Sequence, residues 1–313
     1  MEKYLVSGGG GFIGSNIVQA LVDRGDQVRV LDNFSTGRRG NLEPFGDAVE
    51  IIDGDIRDDS AVRRAVLGVN HVIHLAALPS VERSVQDPLT SNDVNINGTL
   101  NMLLASRDAG VRRFVMASSS SVYGDTPTLP KREDMTPMPL SPYALTKLAG
   151  EHYCKIFHRL YGLETFALRY FNVFGVRQDP ESDYAAVIPL FVKALRNGHG
   201  PLIHGDGGQT RDFTFVTDVV AANLLCCQAP SSAAGAVYNV AWGNRTSILE
   251  LAETIASVLG TPLNPEFTES RSGDVRDSQA DSTLARKHLG WEPAVTLEDG
   301  LRTTVDYFLN HVP

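Results

Sequence analysis

Short apolar segments alternate with helical segments along the first half of the chain, and this alternation restricts the fold more than any other feature. Several segments are apolar at consecutive positions, which is typical of strands covered on both faces. The segments are 3–7, 27–32, 49–53, 71–77, 112–120 and 164–173. Helices are predicted between them at 12–24, 58–67, 88–109 and 143–160. Strand–helix repetition of this kind predicts an α/β fold, a doubly wound parallel sheet with right-handed crossovers.

The regular alternation loosens after about residue 175. Turn-rich segments at 198–212 and 261–274 break up short helices, as expected of a smaller lobe. Residues 235–241 again form an apolar run that we expect to join the first sheet. We therefore divide the chain into a first domain of 1–174, to which about 213–241 returns, and a discontinuous lobe of 175–212 and 242–313.

Composition excludes several classes of function. The 313 residues carry 28 Lys and Arg against 37 Asp and Glu, a net charge of −9 without basic clusters, which argues against binding to nucleic acid or anionic membranes. No apolar run is long enough for a membrane span, and the start leaves no room for a secretory leader.

The isolated pair His71 and His74 predicts no metal site. Free buried thiols and a cytoplasmic location are expected for Cys154, Cys226 and Cys227.

The stretch "SGGGGFIGS", residues 7–15, lies between the first strand and a helix with apolar residues at helical spacing. This is the context in which a dinucleotide pyrophosphate rests on free N–H groups at a helix N-terminus. Two registers fit the loop: Gly9, Gly11 and Gly14 as GxGxxG, or Gly8, Gly11 and Gly14 as GxxGxxG. The loop alone leaves both registers open.

Acidic residues after the next two strands support a dinucleotide site. Asp32 ends the second strand 18 residues beyond Gly14, where a carboxylate accepts hydrogen bonds from the adenine ribose. A carboxylate there repels a 2′-phosphate and favours NAD over NADP, although Arg38 nearby could neutralise such a phosphate. Asp55 and Ile56 follow the third strand, where an adenine edge could bind, and a plain turn aspartate is the alternative for Asp55.

The segment "SPYALTK" places Tyr143 and Lys147 four residues apart on one face of a helix. A tyrosine with a pKa near 10 is a poor base at neutral pH. The lysine ammonium and a cationic nicotinamide ring would stabilise the phenolate and lower that pKa. The spacing is common by chance, so its weight comes from its combination with the glycine loop, Asp32 and the serine run 118–121.

These motifs together resemble a known family. "GGxGFIG", "LDNFSTG", "SSSSVYG", "SPYALTK", "RYFNVFG" and "RDFTFVTD" occur in the order seen in the extended short-chain dehydrogenase/reductases, in their nucleotide-sugar epimerase and dehydratase branch. The resemblance covers essentially the whole chain. It implies a Rossmann-type NAD-binding domain, a UDP-sugar-binding lobe and the GxxGxxG register, in which Gly8, Gly11 and Gly14 are functional. Gly10 stands where the family usually has alanine, so we predict that alanine is tolerated there.

The same resemblance implies roles for individual residues. Ser119, Tyr143 and Lys147 align with the catalytic serine or threonine, the base and the lysine that holds the nicotinamide ribose. Positions aligned with the NAD site are Gly8, Gly11, Phe12, Ile13, Gly14, Asp32, Asn33, Ser35, Asp55, Ile56, Leu75, Ala76, Ala77, Tyr143, Lys147 and Tyr170. Positions aligned with the substrate site are Pro79, Asn97, Ser119, Ser120, Ser121, Asn172, Ala186, Val187, Arg211, Arg271, Asp274 and Ser278.

The serine run favours epimerisation within this branch. The corresponding segment resembles "STDEVYG" in the dehydratases and "SEVYG" in the decarboxylases. Here Ser120 and Ser121 offer no carboxylate for elimination or decarboxylation. In the epimerases the sugar is oxidised to a 4-keto intermediate. This keto sugar rotates about its diphosphate tether and is reduced on its other face, which regenerates NAD. Ser278 stands where epimerases restricted to non-acetylated hexoses have a tyrosine, so the resemblance implies UDP-GlcNAc and UDP-GalNAc as substrates.

Several alternatives remain open at the level of sequence. UDP-glucose and UDP-galactose also fit, because small residues permit a large substrate without requiring one. Glucuronate epimerases carry an arginine near Ala186, which is absent here, but Arg177 is close in sequence. A non-catalytic NAD-binding regulator on the same fold is the rival class.

The resemblance also implies a homodimer formed through helices 88–109 and 143–160. The candidate apolar contacts are Leu148, Ile156, Phe157 and Leu160. Burial of these side chains within one subunit is the alternative.

Overall fold

Alternating strands and helices build a seven-stranded parallel sheet in the computed structural model, which describes residues 2–180, 186–269 and 275–311. Within those ranges the strands are β1 (Lys3–Ser7), β2 (Gln27–Asp32), β3 (Val49–Asp53), β4 (His71–His74), β5 (Arg113–Ser119), β6 (Glu164–Tyr170), β7 (Val173–Phe174), β8 (Leu202–His204), β9 (Thr210–Arg211), β10 (Thr214–Phe215), β11 (Ala236–Val240), β12 (Thr246–Ser247) and β13 (Glu266–Thr268). The helices are α1 (Phe12–Asp23), α2 (Asp59–Val66), α3 (Val81–Gln86), α4 (Pro88–Asn92), α5 (Gly98–Asp108), α6 (Pro142–Tyr161), α7 (Val187–Arg196), α8 (Val216–Cys226), α9 (Ile248–Leu259), α10 (Thr283–Leu289) and α11 (Leu297–His311).

The strand order of the main sheet is β11-β6-β5-β4-β1-β2-β3. The strand β1 pairs in parallel with both β2 and β4, so the chain leaves β1 in one direction and later returns to its other side. A crevice opens at the carboxyl ends of the strands where the order reverses in this way, and ligands of open α/β sheets bind there. The predicted fold is therefore confirmed, and β11 adds to β6 as expected for residues 235–241.

The crossover predicted as a single helix over 88–109 is divided into α4, a π-helical turn at Asp93–Asn97 and α5. A separate short helix, α3, precedes it and was not predicted from the sequence. Ser80 caps α3 by accepting from the amide of Arg83, and Asp87 caps α4 by accepting from the amide of Thr90. Pro88 disfavours helical backbone at the residue before it, so the two short helices meet at Asp87.

Side chains of the central strands alternate between two apolar layers. On β1, Tyr4 and Val6 pack with α1 and α8 on one face of the sheet. Leu5 points to the opposite face and packs with α2, α5 and α6. Consecutive apolar residues are therefore buried on both sides, which explains the continuous apolar runs in the sequence.

A separate apolar cluster holds the C-terminal part of the chain together. It is formed by α7, α9 and α11 and includes Phe174, Phe191 and Phe215. Two-residue pairings of β7 with β10 and of β9 with β12 connect the loops around it. None of the helices in the described ranges combines the length and apolarity needed to cross a membrane. Cys154, Cys226 and Cys227 are buried free thiols.

Candidate active site

A cavity of about 560 Å³ lies at the carboxyl ends of the strands, where the sheet order reverses. Every residue predicted to contact NAD lines it, from the glycine loop and Asp32 to Tyr143, Lys147 and Tyr170. Pro79, which the resemblance assigned to the substrate, also lines this cavity. The fold therefore brings together residues from the first strand, the loops after the next strands and the helix α6.

Two glycines of the loop are required by close backbone approach. Gly8 has a φ of +75°, and a Cβ there would lie 2.7 Å from the amide nitrogen of Ala76. A Cβ on Gly14 would lie 2.1 Å from the carbonyl oxygen of Gly8. The first contact brings β1 against the loop after β4, and the second brings α1 against the strand-to-helix turn. Any larger residue would separate these backbones.

The other three glycines meet different surroundings. A Cβ on Gly9 would lie 2.6 Å from Cγ2 of Val30, whereas on Gly11 its nearest atom would be the Gly8 carbonyl oxygen at 3.2 Å. On Gly10 a Cβ would lie 2.9 Å from the ring of Phe34 and 3.1 Å from the Asp32 carboxylate. Both neighbours are side-chain atoms, so an alanine at Gly10 requires the Phe34 ring to shift, and its tolerance there stays a prediction.

The N-terminus of α1 points its first amide groups at the cavity. Gly11 is the N-cap and provides no side-chain acceptor, and Phe12, Ile13 and Gly14 line the cavity. The first amides of an α-helix lack partners within the helix and carry partial positive charge. This end of α1 can therefore hold an anionic group such as a pyrophosphate.

Asp32 lies at the end of β2 with 7% of its surface exposed. Its carboxylate accepts from the amides of Gly10 and Phe34, both at 2.8 Å. Burial raises the pKa of Asp32, and these two amides oppose that rise. The carboxylate keeps further lone pairs for ribose hydroxyls.

The loop after β2 covers the glycine loop more closely than the sequence indicated. The amide of Arg38 and Nδ2 of Asn41 both donate to the Gly10 carbonyl oxygen at 2.9 Å. A Cβ on Gly37 would lie 2.9 Å from the Gly10 carbonyl carbon. Gly37 and Asn41 were not predicted as site residues, and the only signal for them is the "STGRRGN" segment itself. The Arg38 guanidinium lies 2.6 Å from Asp179, so it is engaged across the cavity.

Asp55 follows β3 and lines the same cavity. Nε and Nη2 of Arg57 donate to its carboxylate at 3.0 and 2.8 Å, and Nδ2 of Asn33 donates at 2.9 Å. Hydrogen bonding from Arg57 lowers the pKa of Asp55 to about 2. Asp55 is thus more than a turn residue, since it orders Arg57 and Asn33 on the cavity wall.

The start of α6 determines where Tyr143 and Lys147 lie. Ser141 caps the helix by accepting from the Ala144 amide, and Pro142 occupies the first turn. The Lys147 ammonium donates to the Ala117 carbonyl oxygen at 2.9 Å and lies 5.8 Å from the centre of the Tyr143 ring. The tyrosine–lysine pair therefore lies against the end of β5, facing the cavity.

Burial has the largest effect on the pKa of both Tyr143 and Lys147. Burial raises the pKa of Tyr143 to about 12, and a hydrogen bond with Ser119 opposes the rise. Burial lowers the pKa of Lys147 to about 8. The lowering of the Tyr143 pKa by Lys147 together with a bound nicotinamide ring stays a prediction.

The four serines have separate surroundings. Ser118 is buried and donates to Oε1 of Glu151 at 2.6 Å. Ser119 ends β5, and its hydroxyl oxygen accepts from the amide and the hydroxyl of Ser121 at 3.2 and 2.9 Å. Ser120 and Ser121 begin a 3₁₀ turn, Ser120–Tyr123, that directly follows the strand.

Asn95, rather than Asn97, connects the loop after β4 to the catalytic helix. Asn97 is exposed and donates to Asp93, so its predicted contact with the substrate site is wrong. Asn95 is buried, accepts from the amide of Leu78 at 2.7 Å and donates to Oγ1 of Thr146 at 3.1 Å. The π-helical turn changes which residues face inward, and the sequence carried no signal for it.

A second cavity of about 530 Å³ lies beyond the end of β6. Of the predicted substrate residues, Asn172, Ala186, Val187 and Arg211 line it. Arg211 donates to the carbonyl oxygens of Thr210 and Arg276 at 2.9 and 3.4 Å. Tyr170, two residues before Asn172, lines the first cavity, so the end of β6 separates the two spaces.

The remaining substrate predictions lie elsewhere. Ser278 donates its amide to the Thr210 carbonyl oxygen at 3.1 Å, and it is not among the described residues that line either cavity. Arg271 and Asp274 lie outside the described residues. Arg177 donates to the Ser15 carbonyl oxygen and to Gln19, so its guanidinium is directed at α1.

A ligand that fits the first cavity needs an anionic centre for α1 and a ribose for Asp32. The close glycine backbone leaves room for a pyrophosphate, and a Cβ at Gly8 would disrupt the cradle. The engaged Arg38 and the buried Asp32 carboxylate favour a ribose without a 2′-phosphate. Fold and site together define a Rossmann-type, NAD-binding enzyme with a tyrosine–lysine pair at its reactive end. Within the described ranges no group of three side chains could hold a metal ion.

Comparisons with known proteins agree with this class. Residues 4–241 match the NAD dependent epimerase/dehydratase family, and the chain belongs to that family. The UDP-glucose 4-epimerase of Mycolicibacterium smegmatis is 43% identical over 312 residues, covering 98% of this chain and 99% of the relative.

Two solved structures have the same fold. The UDP-N-acetylglucosamine 4-epimerase of Methanobrevibacter ruminantium, in complex with UDP-N-acetylmuramic acid, is 40% identical with a TM-score of 0.94 and covers 99% of both chains. The UDP-glucose 4-epimerase of Thermus thermophilus, in complex with NAD, is 38% identical with a TM-score of 0.89, covering 99% of this chain and 100% of that one. The predictions of an epimerase of this family and of NAD as its cofactor are confirmed.

Proposed function

We propose that this protein interconverts the C4 epimers of a UDP-hexose, with UDP-GlcNAc and UDP-GalNAc as its main pair and UDP-glucose and UDP-galactose as a second pair. The observation that carries the reaction type is the 3₁₀ turn after β5, in which Ser120 and Ser121 stand in place of carboxylates, beside a cavity lined by Tyr143 and Lys147. Loss of water or CO₂ from the sugar ring needs further acid or base groups. Epimerisation needs one proton carrier and one reversible hydride acceptor.

Tyr143 is the proton carrier in this proposal. Its phenol oxygen takes the proton of the sugar 4-hydroxyl and returns it after the keto sugar has rotated. Ser119 stabilises the phenolate by hydrogen bonding, and Lys147 adds a positive charge held in place by Ala117. Because the same group serves both directions, no side chain is consumed in a turnover.

The residues of the first cavity would hold NAD. The N-terminus of α1 would bind the pyrophosphate, Asp32 the adenine ribose, and Asp55 with Asn33 and Ile56 the adenine end. When bound, NAD accepts the hydride of the sugar C4 and returns it, and its positive ring favours the ionised tyrosine. Tyr170 is held at the reactive end by its donation to Oδ1 of Asn223 at 3.0 Å.

The uridine diphosphate of the substrate would occupy the second cavity, in the lobe of 175–212 and 242–313. The hexose would extend past Asn172 at the end of β6 to Tyr143 in the first cavity. Support for an N-acetyl group comes from Ser278, which stands where epimerases restricted to non-acetylated hexoses have a bulky tyrosine. Arg211 is the only arginine or lysine among the described residues of this lining, and we assign it to the diphosphate together with Arg271. Arg177 donates to the Ser15 carbonyl oxygen of α1 and does not line the second cavity, so it gives no support to a glucuronate carboxylate there.

Purified protein incubated separately with UDP-GlcNAc, UDP-glucose and UDP-glucuronate tests the proposal, with epimers resolved by chromatography. We expect conversion of the first two and none of the third. Tyr143→Phe removes only the phenol oxygen and should reduce turnover at least about 100-fold, since positioned acid–base groups contribute 10²–10⁴-fold. Exclusive conversion of UDP-glucuronate, or a Tyr143→Phe enzyme within tenfold of wild type, would contradict the assignment.

We further propose a homodimer in which α6 and the crossover α4–α5 meet a second copy. Leu89, Ile156 and Leu160 are exposed by 82%, 45% and 65%. The predicted contact through Phe157 is wrong, because this side chain is buried in the subunit's own core. Leu148 is partly buried against an internal cluster, and its contact stays a prediction. The exposed residues lie on elements at one side of the sheet, and a second copy would cover them.

A further inference from the structure

The main-chain amide of Tyr143 finds its acceptor in another helix. Ser141 is the N-cap of α6, so Tyr143 is the second residue of the helix, and an amide at that position has no acceptor within its own helix. The Tyr143 amide donates to Oγ of Ser84, in α3, at 3.1 Å. The residue to which we assign the proton transfer is therefore tied to α3 through its own peptide group.

The orientation of Ser84 in this contact is fixed. Its hydroxyl donates to the Val81 carbonyl oxygen, three residues earlier in α3, at 2.6 Å. A main-chain amide can only donate and a carbonyl oxygen can only accept, so neither hydrogen bond can reverse its direction. Ser84 is fully buried, so solvent does not compete for its hydroxyl.

The carbonyl group of Tyr143 is held from the other side. Thr146 donates Oγ1 to this carbonyl oxygen at 2.8 Å and accepts from Nδ2 of Asn95 at 3.1 Å. Ser84 in α3 and Asn95 in the π-helical turn both belong to the crossover between β4 and β5. Two parts of one crossover therefore hold the amide and the carbonyl of Tyr143.

We propose that Ser84 is a positioning residue that sets the place of the Tyr143 phenol by accepting from the Tyr143 amide, an inference that rests on the proposed epimerase function. Ser84 is not among the described residues that line the first cavity, so it acts through Tyr143 and not by contact with NAD or sugar. Ser80 and Arg83 of the same helix do line that cavity. The helix α3 thus forms part of the cavity wall and also holds the start of α6.

Removal of the Ser84 hydroxyl should leave α3 folded. Ser80 caps the helix by accepting from the Arg83 amide, and the Asp87 amide donates to the Arg83 carbonyl oxygen at 2.8 Å. Neither hydrogen bond uses the Ser84 side chain, and alanine has a higher helix propensity than serine. Ser84→Ala therefore removes the contact with Tyr143 without removing the helix.

Ser91 in α4 offers a matched control. It is buried like Ser84 and lies in the same crossover, but its hydroxyl has no hydrogen-bond partner among the described residues. Ser91→Ala deletes the same atom from a buried helical position and leaves no donor without its acceptor.

The test compares Ser84→Ala, Ser91→Ala and wild type as NAD-loaded enzymes, with the UDP-hexose that wild type epimerises fastest. We expect Ser84→Ala to lower kcat about tenfold, because a small misplacement of a reacting group reduces the rate steeply. KM and the Kd of NAD should stay within about twofold and Tm within about 3 °C, since one hydrogen bond is lost. Ser91→Ala should match wild type within about twofold. A kcat of Ser84→Ala within twofold of wild type, an equal loss in Ser91→Ala, or a loss accompanied by weaker NAD binding would overturn the proposal.

An arm without turnover follows the Tyr143 amide in ¹⁵N-tyrosine-labelled protein, where its signal is assigned by its loss in Tyr143→Phe. In Ser84→Ala this signal should move upfield, and its proton should exchange with solvent at least about tenfold faster, whereas Ser91→Ala should change neither. An unmoved signal or unchanged exchange in Ser84→Ala would overturn the proposal. If no UDP-sugar is epimerised by wild type, the proposed function fails, and this arm still decides whether Ser84 holds Tyr143.

Discussion

Replacing Gly14 by alanine should destabilise the protein, whereas the same change at Gly11 should mainly weaken NAD binding. The Cβ added by Gly14→Ala would lie 2.1 Å from the Gly8 carbonyl oxygen, where ordinary contact begins at 3.4 Å, so about 1.3 Å of separation between α1 and the loop is needed (3.4 − 2.1). Overpacking of this kind costs about 1–3 kcal/mol. Better helix propensity of alanine offsets about 0.5–1 kcal/mol of that cost.

A Cβ added at Gly11 makes a much weaker contact with the backbone than one added at Gly14. Its Cβ would lie 3.2 Å from the same oxygen, and Gly11 has φ −76° and ψ 175°, which alanine adopts freely. Loss of a glycine N-cap costs up to about 1 kcal/mol. Because Gly11 lines the cavity at the N-terminus of α1, the added methyl group occupies space that the pyrophosphate needs.

Thermal unfolding without added cofactor and calorimetric titration with NAD separate the two effects. For a chain of 313 residues, a net loss of about 1–2 kcal/mol in Gly14→Ala corresponds to roughly 1.5–3 °C in Tm. Gly11→Ala should unfold closer to wild type and bind NAD at least about tenfold more weakly. The Tm of Gly10→Ala should lie between those of Gly14→Ala and Gly11→Ala, since the added Cβ must displace the Phe34 ring. An unchanged Tm for Gly14→Ala together with normal NAD binding would refute the close-approach reasoning.

Three further perturbations test charges and surfaces. In Lys147→Met, activity should be lost while stability at pH 7 rises by up to about 3 kcal/mol. The folded pKa of Lys147 is depressed to about 8, so folding releases its proton between that pH and the unfolded value near 10.5. The loss of unfolding free energy that Lys147 causes in wild type is therefore complete below pH 8 and becomes smaller as the pH rises. A Tm difference between Lys147→Met and wild type that is constant between pH 7 and 9.5 would contradict this. Glu151→Gln leaves the buried Arg169 guanidinium, paired at 2.7 Å, without a counter-ion and should cost about 3–5 kcal/mol in urea unfolding; a cost below about 1 kcal/mol would refute it. Leu160→Glu should give monomers by light scattering with normal Tm, and an unchanged mass would count against the proposed dimer.

Much of the fold could be predicted because its signals are local. The apolar runs of β1 and β2 and the helical segment 143–160 are defined over short stretches of sequence. The structure has these elements within one or two positions of the prediction. Where tertiary contacts intervene, the prediction was wrong. The crossover 88–109 is interrupted by the π-helical turn at Asp93–Asn97, and this interruption turns Asn97 outward and Asn95 inward.

By itself, the sequence determined the order of strands and helices, the glycine loop and the Tyr143–Lys147 pair, since each depends on spacing along one element. Only the tertiary structure decided which glycines touch backbone and that Phe157 faces inward. It also decided that Asn95, and not Asn97, connects the loop after β4 to α6. Such facts depend on backbone geometry and on distances between residues far apart in the chain, which no local pattern encodes.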